Sequence, residues 1–254
     1  MEGFIKFFGT GGARFVVSSQ IRATGGLWLR YRNTNLYIDP GPGSVVRIRS
    51  SKEIFNPGEL DGIIITHKHI DHANDVNVMI EAMTEGGFNR KGTLFCPGDA
   101  LGDDPAILRH ARQYPEKIEV LREQGKYGVK DIVFTTPVRH KHPVETYGLV
   151  FHFPKTIGLI SDTRYVEGIE KYYRTDCLIV NVLRTRPIED HDPVDHLALS
   201  DFVRIVREIR PEVAIMTHFG MKMIQEKPHL LVKALRKETG VHVIAARDGM
   251  KFEF

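Results

Sequence analysis

The sequence predicts an α/β protein made of two packed sheets with helices outside. Three observations carry that reading. Short apolar, β-branched strands come in groups separated by helical stretches, in both halves of the chain. The halves look alike, each running through strands, then a helix, then a strand that ends in a histidine. The 254 residues are 42% hydrophobic and 26% charged, with no low-complexity segment, linker or short repeat, which suits one domain with a sizeable core over residues 1–254.

Phe4 to Phe8 reads as the first strand, ended by Gly9-Thr10-Gly11-Gly12. A phosphate-binding fingerprint would need a helix after these glycines, and no helical pattern follows, so a plain strand-to-loop turn is expected. Arg14 to Gly26 reads as an irregular loop. Leu27 to Tyr31 and Asn35 to Asp39 read as strands joined by a short polar turn. Asp39-Pro40-Gly41-Pro42-Gly43 then breaks regular structure and leaves Asp39 at a strand end. Ile63 to Ile65 is a buried strand. Val76 to Met83 has helical periodicity stopped by Gly86-Gly87. Thr93 to Cys96 reads as a strand, Asp104 to Tyr114 as a helix, and Ile118 to Leu121 and Ile132 to Val138 as strands. Tyr147 to Phe153 with Thr156 to Ser161 is a hairpin, Ile169 to Tyr173 a short helix and Cys177 to Val182 an apolar strand. Leu199 to Ile209 is an amphipathic helix capped by Ser200 or Asp201. Val213 to Met216 is a strand, Pro228 to Thr239 a helix, and Val241 to Ala245 with Lys251 to Phe254 the closing strands.

Composition narrows the function. The net charge of +3 is too small to argue for nucleic-acid binding. No apolar run approaches the roughly 20 residues that span a bilayer, so no membrane is expected as a partner. The N-terminus shows no apolar signal core, and a cytoplasmic protein is expected. Cys96 and Cys177 each sit in an apolar segment and read as buried thiols.

The chemistry gathers after Ile65. His67, His69, Asp71 and His72 fall within six residues of a strand end. Alternate side chains there can point at one spot, and imidazole with carboxylate suits zinc, manganese or iron. Four more strand ends deliver polar groups: Tyr37-Ile38-Asp39, Val138-Arg139-His140-Lys141-His142, Leu159-Ile160-Ser161-Asp162 and Ala214-Ile215-Met216-Thr217-His218. The seven candidates His67, His69, Asp71, His72, His142, Asp162 and His218 can form two metal sites about 3.5–4 Å apart that share one carboxylate.

In this order the residues resemble the metallo-β-lactamase-fold superfamily over nearly the whole chain. The resemblance implies a four-layer αββα sandwich with the metals at one rim. It implies His67, His69 and His142 on one metal, Asp71, His72 and His218 on the other, Asp162 bridging, and Asp39 orienting a ligand histidine. His142-Pro143-Val144-Glu145-Thr146-Tyr147-Gly148, Ser161-Asp162-Thr163 and Thr217-His218-Phe219 look like ribonuclease Z, but the His-Glu-Ala-Thr motif is absent. Only a short hairpin separates His142 from Asp162, leaving no room for a tRNA-binding arm, so tRNA is not an expected partner. The cyclic phosphodiesterase of phosphonate breakdown is similar in length, in Ser161-Asp162-Thr163 and in Asp248-Gly249-Met250, though its extra cysteine zinc site has no counterpart after Gly12. His196 matches a histidine that both relatives use near the leaving group.

The resulting expectation is a hydrolase with two divalent ions, zinc first and manganese or iron as alternatives. Its nucleophile would be a hydroxide bridging the metals, and its substrate a small anionic phosphate ester. Asp71, besides its place among the ligands, and His196 are the expected catalytic groups. Arg47, Arg49, Lys68, Arg139, Lys141, Arg164, Arg184 and Arg186 lie near the site loops in sequence and would suit an anion. The rival readings are a carboxyl-ester, thioester or lactone hydrolase on the same metals, and a metal-bound sensor without turnover. The sequence leaves the oligomeric state open, a homodimer included.

Overall fold

Successive side chains of a strand point to opposite faces, so a strand buried on both faces reads as an unbroken apolar run. Such runs build the centre of this protein. The computed structural model describes residues 2–187 and 194–254; the Asp190-His191-Asp192-Pro193 stretch lies outside the described residues. The first half forms β1 (Gly3–Phe7), β2 (Leu27–Tyr31), β3 (Thr34–Ile38), β4 (Gly62–Ile64), β5 (Thr93–Cys96) and β6 (Lys117–Val120). The second half forms β7 (Gly125–Val129), β8 (Ile132–Thr136), β9 (Leu149–Phe151), β10 (Ile157–Ile160), β11 (Cys177–Asn181), β12 (Val213–Thr217) and β13 (His242–Ala245). A last strand, β14 (Lys251–Glu253), returns to pair with β1. The result is two seven-stranded sheets, ordered β14-β1-β2-β3-β4-β5-β6 and β13-β12-β11-β10-β9-β8-β7. In each sheet one part is parallel, β3 to β6 in the first and β10 to β13 in the second.

The core follows the strand period. Leu36, Ile38, Ile64 and Phe95 from one sheet meet Phe134, Phe151, Ile179 and Ile215 from the other. The intervening residues face outward under helices. Tyr37, Ile63 and Leu94 pack with Met79, Ile80 and Met83 of the helix Val76–Met83. Leu178, Val180 and Met216 pack with Phe202 and Leu235 of the helices Leu199–Ile209 and Pro228–Thr239. This is the expected αββα order of layers. In chain order the helices are α1 (Arg14–Ser19), α2 (Ser44–Arg49), α3 (Ile70–Ala73), α4 (Val76–Met83), α5 (Leu199–Ile209), α6 (Met221–Gln225) and α7 (Pro228–Thr239).

Three local expectations are corrected. Arg14 to Gly26 is not wholly irregular, since α1 occupies its start. Its sequence hides it: Val16, Val17, Ser18 and Ser19 are modest helix formers, and no side chain caps its N-terminus. Asp104 to Tyr114 is not a helix but turns with one 3₁₀ turn at Ala111–Gln113. Pro105 disfavours helical backbone at Asp104. Side chains then serve the irregular backbone: Leu108 N–H donates to Asn77 Oδ1 (2.9 Å), and Arg112 donates to Ile107 O. For α5 the N-cap is Ala198, whose N–H donates to Asp201 at 2.8 Å, so Asp201 works from the third helical position. Both cysteines are free and buried, as expected, and burial pushes each thiol up to about 12. Among the described residues no helix is long and apolar enough to cross a membrane.

Candidate metal centre

The parallel strands end at one rim, where open α/β sheets place their sites. β3 ends in Asp39, and the chain after β4 runs through Thr66, His67 and His69 into α3, which carries Asp71 and His72 in one turn. From the other sheet, β8 leads to His140 and His142, β10 to Ser161 and Asp162, β11 ends in Asn181, and β12 leads to His218. Asp39 and His218 take left-handed backbone conformations, φ 53° and 61°. Non-glycine residues seldom do so, and such strain persists where the surroundings fix it.

All seven predicted ligands converge, in two groups. His67, His69 and His142 each bring a ligand atom within 4.8 Å of the others. His142 Nε2 lies 2.9 Å from His69 Nδ1. Asp71, His72, Asp162 and His218 form the second group. There His72 Nε2 and His218 Nε2 are 3.0 Å apart, and His218 Nε2 is 3.2 Å from Asp71 Oδ2. A tetrahedral ion with bonds of about 2.0–2.1 Å separates its ligand atoms by roughly 3.3 Å, so the spacing fits a shared cation. His67 Nε2 is fully buried without a hydrogen-bond partner, an orphan that a metal would satisfy. His196 also lies close: its Nδ1 is 3.6 Å from Asp162 Oδ2, and it groups with His142 and Asp162.

A hydrogen-bonded frame holds these groups. Asp39 accepts from Thr66 N–H at 2.7 Å and Thr66 Oγ1 at 2.8 Å, and it contacts His72 Nδ1 at 2.8 Å. That fixes His72 with Nε2 turned inward. Thr66 Oγ1 also meets Ser161 Oγ at 2.8 Å, tying the two sheets. Asn181 donates to Asp162 Oδ1 at 2.8 Å and leaves Oδ2 facing the histidines. Ala13 N–H donates to Asp71 Oδ2 at 2.9 Å. His140 lies behind the site, with Nδ1 3.3 Å from Asp162 O and Nε2 2.7 Å from Tyr173 Oη.

The electrostatics ask for a cation. Burial works to raise the Asp162 carboxyl, but His218, His196 and His72 outweigh it and hold the group well below the carboxylate range. Asp71 is likewise lowered against burial, by His72 and His218. Burial opposes charge on His72, yet Asp162, Asp39 and Asp71 raise it well above the usual imidazole value. Burial keeps His67 and His69 low and lowers His142 to about 4, leaving neutral imidazoles ready to ligate. Carboxylates thus stay anionic beside the neutral imidazoles of His67, His69 and His142, while His72, among three carboxylates, holds a positive charge where a cation would otherwise sit.

Sequence reasoning missed Asn181, Ala13 and Thr66. Asn181 carries the same strand-end signal as Asp39, but Val182 beyond it continues the apolar run and hides the strand end. Among the basic residues, Arg164 pairs with Asp195 at 2.6 Å and Lys68 with Asp104 at 3.5 Å, so both are engaged with neighbouring loops.

Residues 34–219 match the family described as a beta-lactamase superfamily domain. The chain is 35% identical to a ribonuclease Z of Methanopyrus kandleri, over 98% of this chain and 97% of that one. The metallo-β-lactamase fold protein YhfI of Bacillus subtilis is 17% identical with a TM-score of 0.80, covering 100% of both chains. A diphosphatase of the PhnP family is 20% identical with a TM-score of 0.69, covering 100% of this chain and 98% of that one. Both structural likenesses are of fold.

Proposed function

The chain belongs to the beta-lactamase superfamily and has the metallo-β-lactamase fold, and from that premise we propose that it is a two-metal phosphodiesterase acting on a small anionic phosphate ester. The observation that carries the reading is the position of Asp162 Oδ2. It stands 3.5 Å from His67 Nε2, 3.2 Å from His72 Nε2 and 3.5 Å from His218 Nε2, so one carboxylate faces both ligand groups. His67, His69 and His142 would hold one ion, Asp71, His72 and His218 the other, with Asp162 shared. Zinc suits this set first, with manganese and iron as alternatives. Bound ions supply Lewis acidity, a water of lowered pKa and neutralisation of charge on the phosphoryl oxygens.

The protein's own groups supply the rest. Asp39 and Asn181 fix His72 and Asp162, so that no reorganisation is needed as charge develops. Asp71 stays anionic and accepts from Ala13, which leaves its carboxylate able to orient an attacking water. His196 sits beside Asp162 and His142, where it can hold a proton for the departing alkoxide.

The ribonuclease Z relative supports a second reading, maturation of precursor tRNA. Against it, the chain between His142 and Asp162 holds only β9, β10 and their connections, with no projecting arm. The test is turnover of bis-p-nitrophenyl phosphate against p-nitrophenyl acetate, with metal analysis of the same protein. The proposal expects two ions per chain, efficient phosphodiester hydrolysis and negligible cleavage of a precursor tRNA trailer. Preference for the acetate would favour the carboxyl-ester, thioester or lactone reading. Inactivity on both with full metal would favour a sensor, and efficient tRNA cleavage would restore the second reading. A plateau at one ion per chain would refute the dinuclear site.

A further inference from the structure

We propose that the Arg164–Asp195 ion pair is a positioning clamp that sets His142 and His196 against Asp162. The inference rests on the two-metal reading above and concerns residues that reading does not use.

Three loops meet at the pair. Arg164 Nε donates to Asp195 Oδ1 at 2.6 Å, and both side chains are largely buried, 22% and 19% exposed. A short, partly desolvated guanidinium–carboxylate contact of this kind holds geometry better than an exposed pair. Arg164 stands two residues beyond Asp162, and its backbone N–H donates to Lys141 O at 2.9 Å, one residue before His142. Lys141 N–H in turn donates to Thr163 Oγ1 at 3.1 Å. Arg164 is thus stitched to the Asp162 loop and the His142 loop, and its side chain reaches the third loop at Asp195.

Asp195 passes that position on in two ways. Its carbonyl accepts from His142 Nδ1–H at 2.9 Å, which fixes the tautomer and turns His142 Nε2 toward His69. It is also the middle residue of a tight turn, because His196 N–H donates to Val194 O at 3.1 Å. The next side chain, His196, is thereby aimed into the site, 3.6 Å from Asp162 Oδ2 and edge-on to His142 with ring centres 5.2 Å apart. One carboxylate held in place therefore orients a metal ligand through its carbonyl and a proton donor through the turn. Asp195 and Arg164 act through His142 and His196, so they are positioning residues.

The experiment compares Arg164→Gln, Asp195→Asn, their double variant and Arg164→Lys. Metal affinity is measured by chelator competition, and kcat on two phosphodiesters with good and poor leaving groups. Each single variant should lose roughly 10–100-fold in affinity at one of the two metal sites. On fully loaded protein, kcat for the poor leaving group should fall about tenfold further than for the good one, with KM little changed. The double variant should be no worse than the weaker single, and Arg164→Lys should recover part of both losses. Wild-type metal affinity with equal losses on both substrates would overturn the clamp. So would additive losses in the double variant, or a parallel loss at both metal sites with general destabilisation. If no variant, wild type included, hydrolyses either diester, while the affinity losses appear and fail to add, the phosphodiesterase reading falls and the clamp on His142 stands.

Discussion

Gly12 lies against His218 with no room for a side chain, and replacing it tests the second metal position without touching a ligand. A Cβ built there would stand 2.2 Å from His218 Cε1, 2.3 Å from Nδ1 and 2.4 Å from Nε2. Ordinary contact begins near 3.4 Å, so in Gly12→Ala the ring or the loop must yield by about 1 Å. Metal–ligand distances tolerate only about 0.2 Å, so His218 cannot stay in both places. The loop is itself pinned, Gly12 N–H donating to Phe219 O at 3.2 Å, and His218 backbone is already strained at φ 61°. The ring is therefore expected to move. Bound metal should fall from two ions per chain toward one, and turnover should drop about 10²-fold, the scale set by a 1 Å misplacement. The core between the sheets is remote from this loop, so the circular dichroism spectrum should be unchanged. Gly128→Ala serves as the control, since its Cβ would meet only contacts of 3.5 Å and 3.8 Å. Elemental analysis beside kcat decides the matter. Two ions per chain and near wild-type turnover in Gly12→Ala would show that the loop gives way and that the tight cradle has no consequence.

Asp162→Ala should abolish turnover and halve metal content while the fold persists; near wild-type metal and activity would remove the bridging role. His196→Ala should lower kcat by about 10²–10⁴ for a poor leaving group and far less for p-nitrophenolate, with metal content unchanged. A drop in bound metal would instead make His196 a ligand, as its grouping with His142 and Asp162 allows. Burial lowers His140 to about 4, so it is neutral in the fold and takes up a proton near 6.5 when unfolded. Its contribution is therefore full above pH 6.5 and lost as pH falls toward 4, up to about 3 kcal/mol. In chelated protein, the urea-unfolding difference between wild type and His140→Gln should shrink by that order between pH 7.5 and 4.5; a difference independent of pH would refute it.

Most of the candidate ligands were legible because they lie just beyond a strand end, where an apolar run breaks into polar groups, and such breaks survive in one-dimensional sequence; Asp71 and His72, on α3, were legible from their nearness to His67 and His69. Helices with wide apolar stripes were legible for the same reason, α5 and α7 to the residue. The frame around the ligands was not. Ala13 acts through its backbone N–H, and Thr66 through a hydroxyl shared between sheets, which no spacing reveals. Asp195 likewise works through a carbonyl and a turn. The helix expected over Asp104 to Tyr114 failed because apolar spacing there was outweighed by Pro105 and by side chains of Asn77 and Arg112 that serve the irregular backbone.

The division of the ligands between the sheets has a consequence for how the protein matures. The first group takes His67 and His69 from one sheet and His142 from the other; the second takes Asp71 and His72 from one and Asp162 and His218 from the other. If ions bind as proposed, neither half completes a site by itself, because each group draws candidate ligands from both sheets. Tight uptake would then wait until the halves have docked in register. Bound ions would act as rivets between the sheets, and pulling the halves apart would first have to expel them. Metal retention thereby reports correct assembly, and scarcity of metal should appear first as a loosening of this rim while the opposite end of the sandwich stays closed.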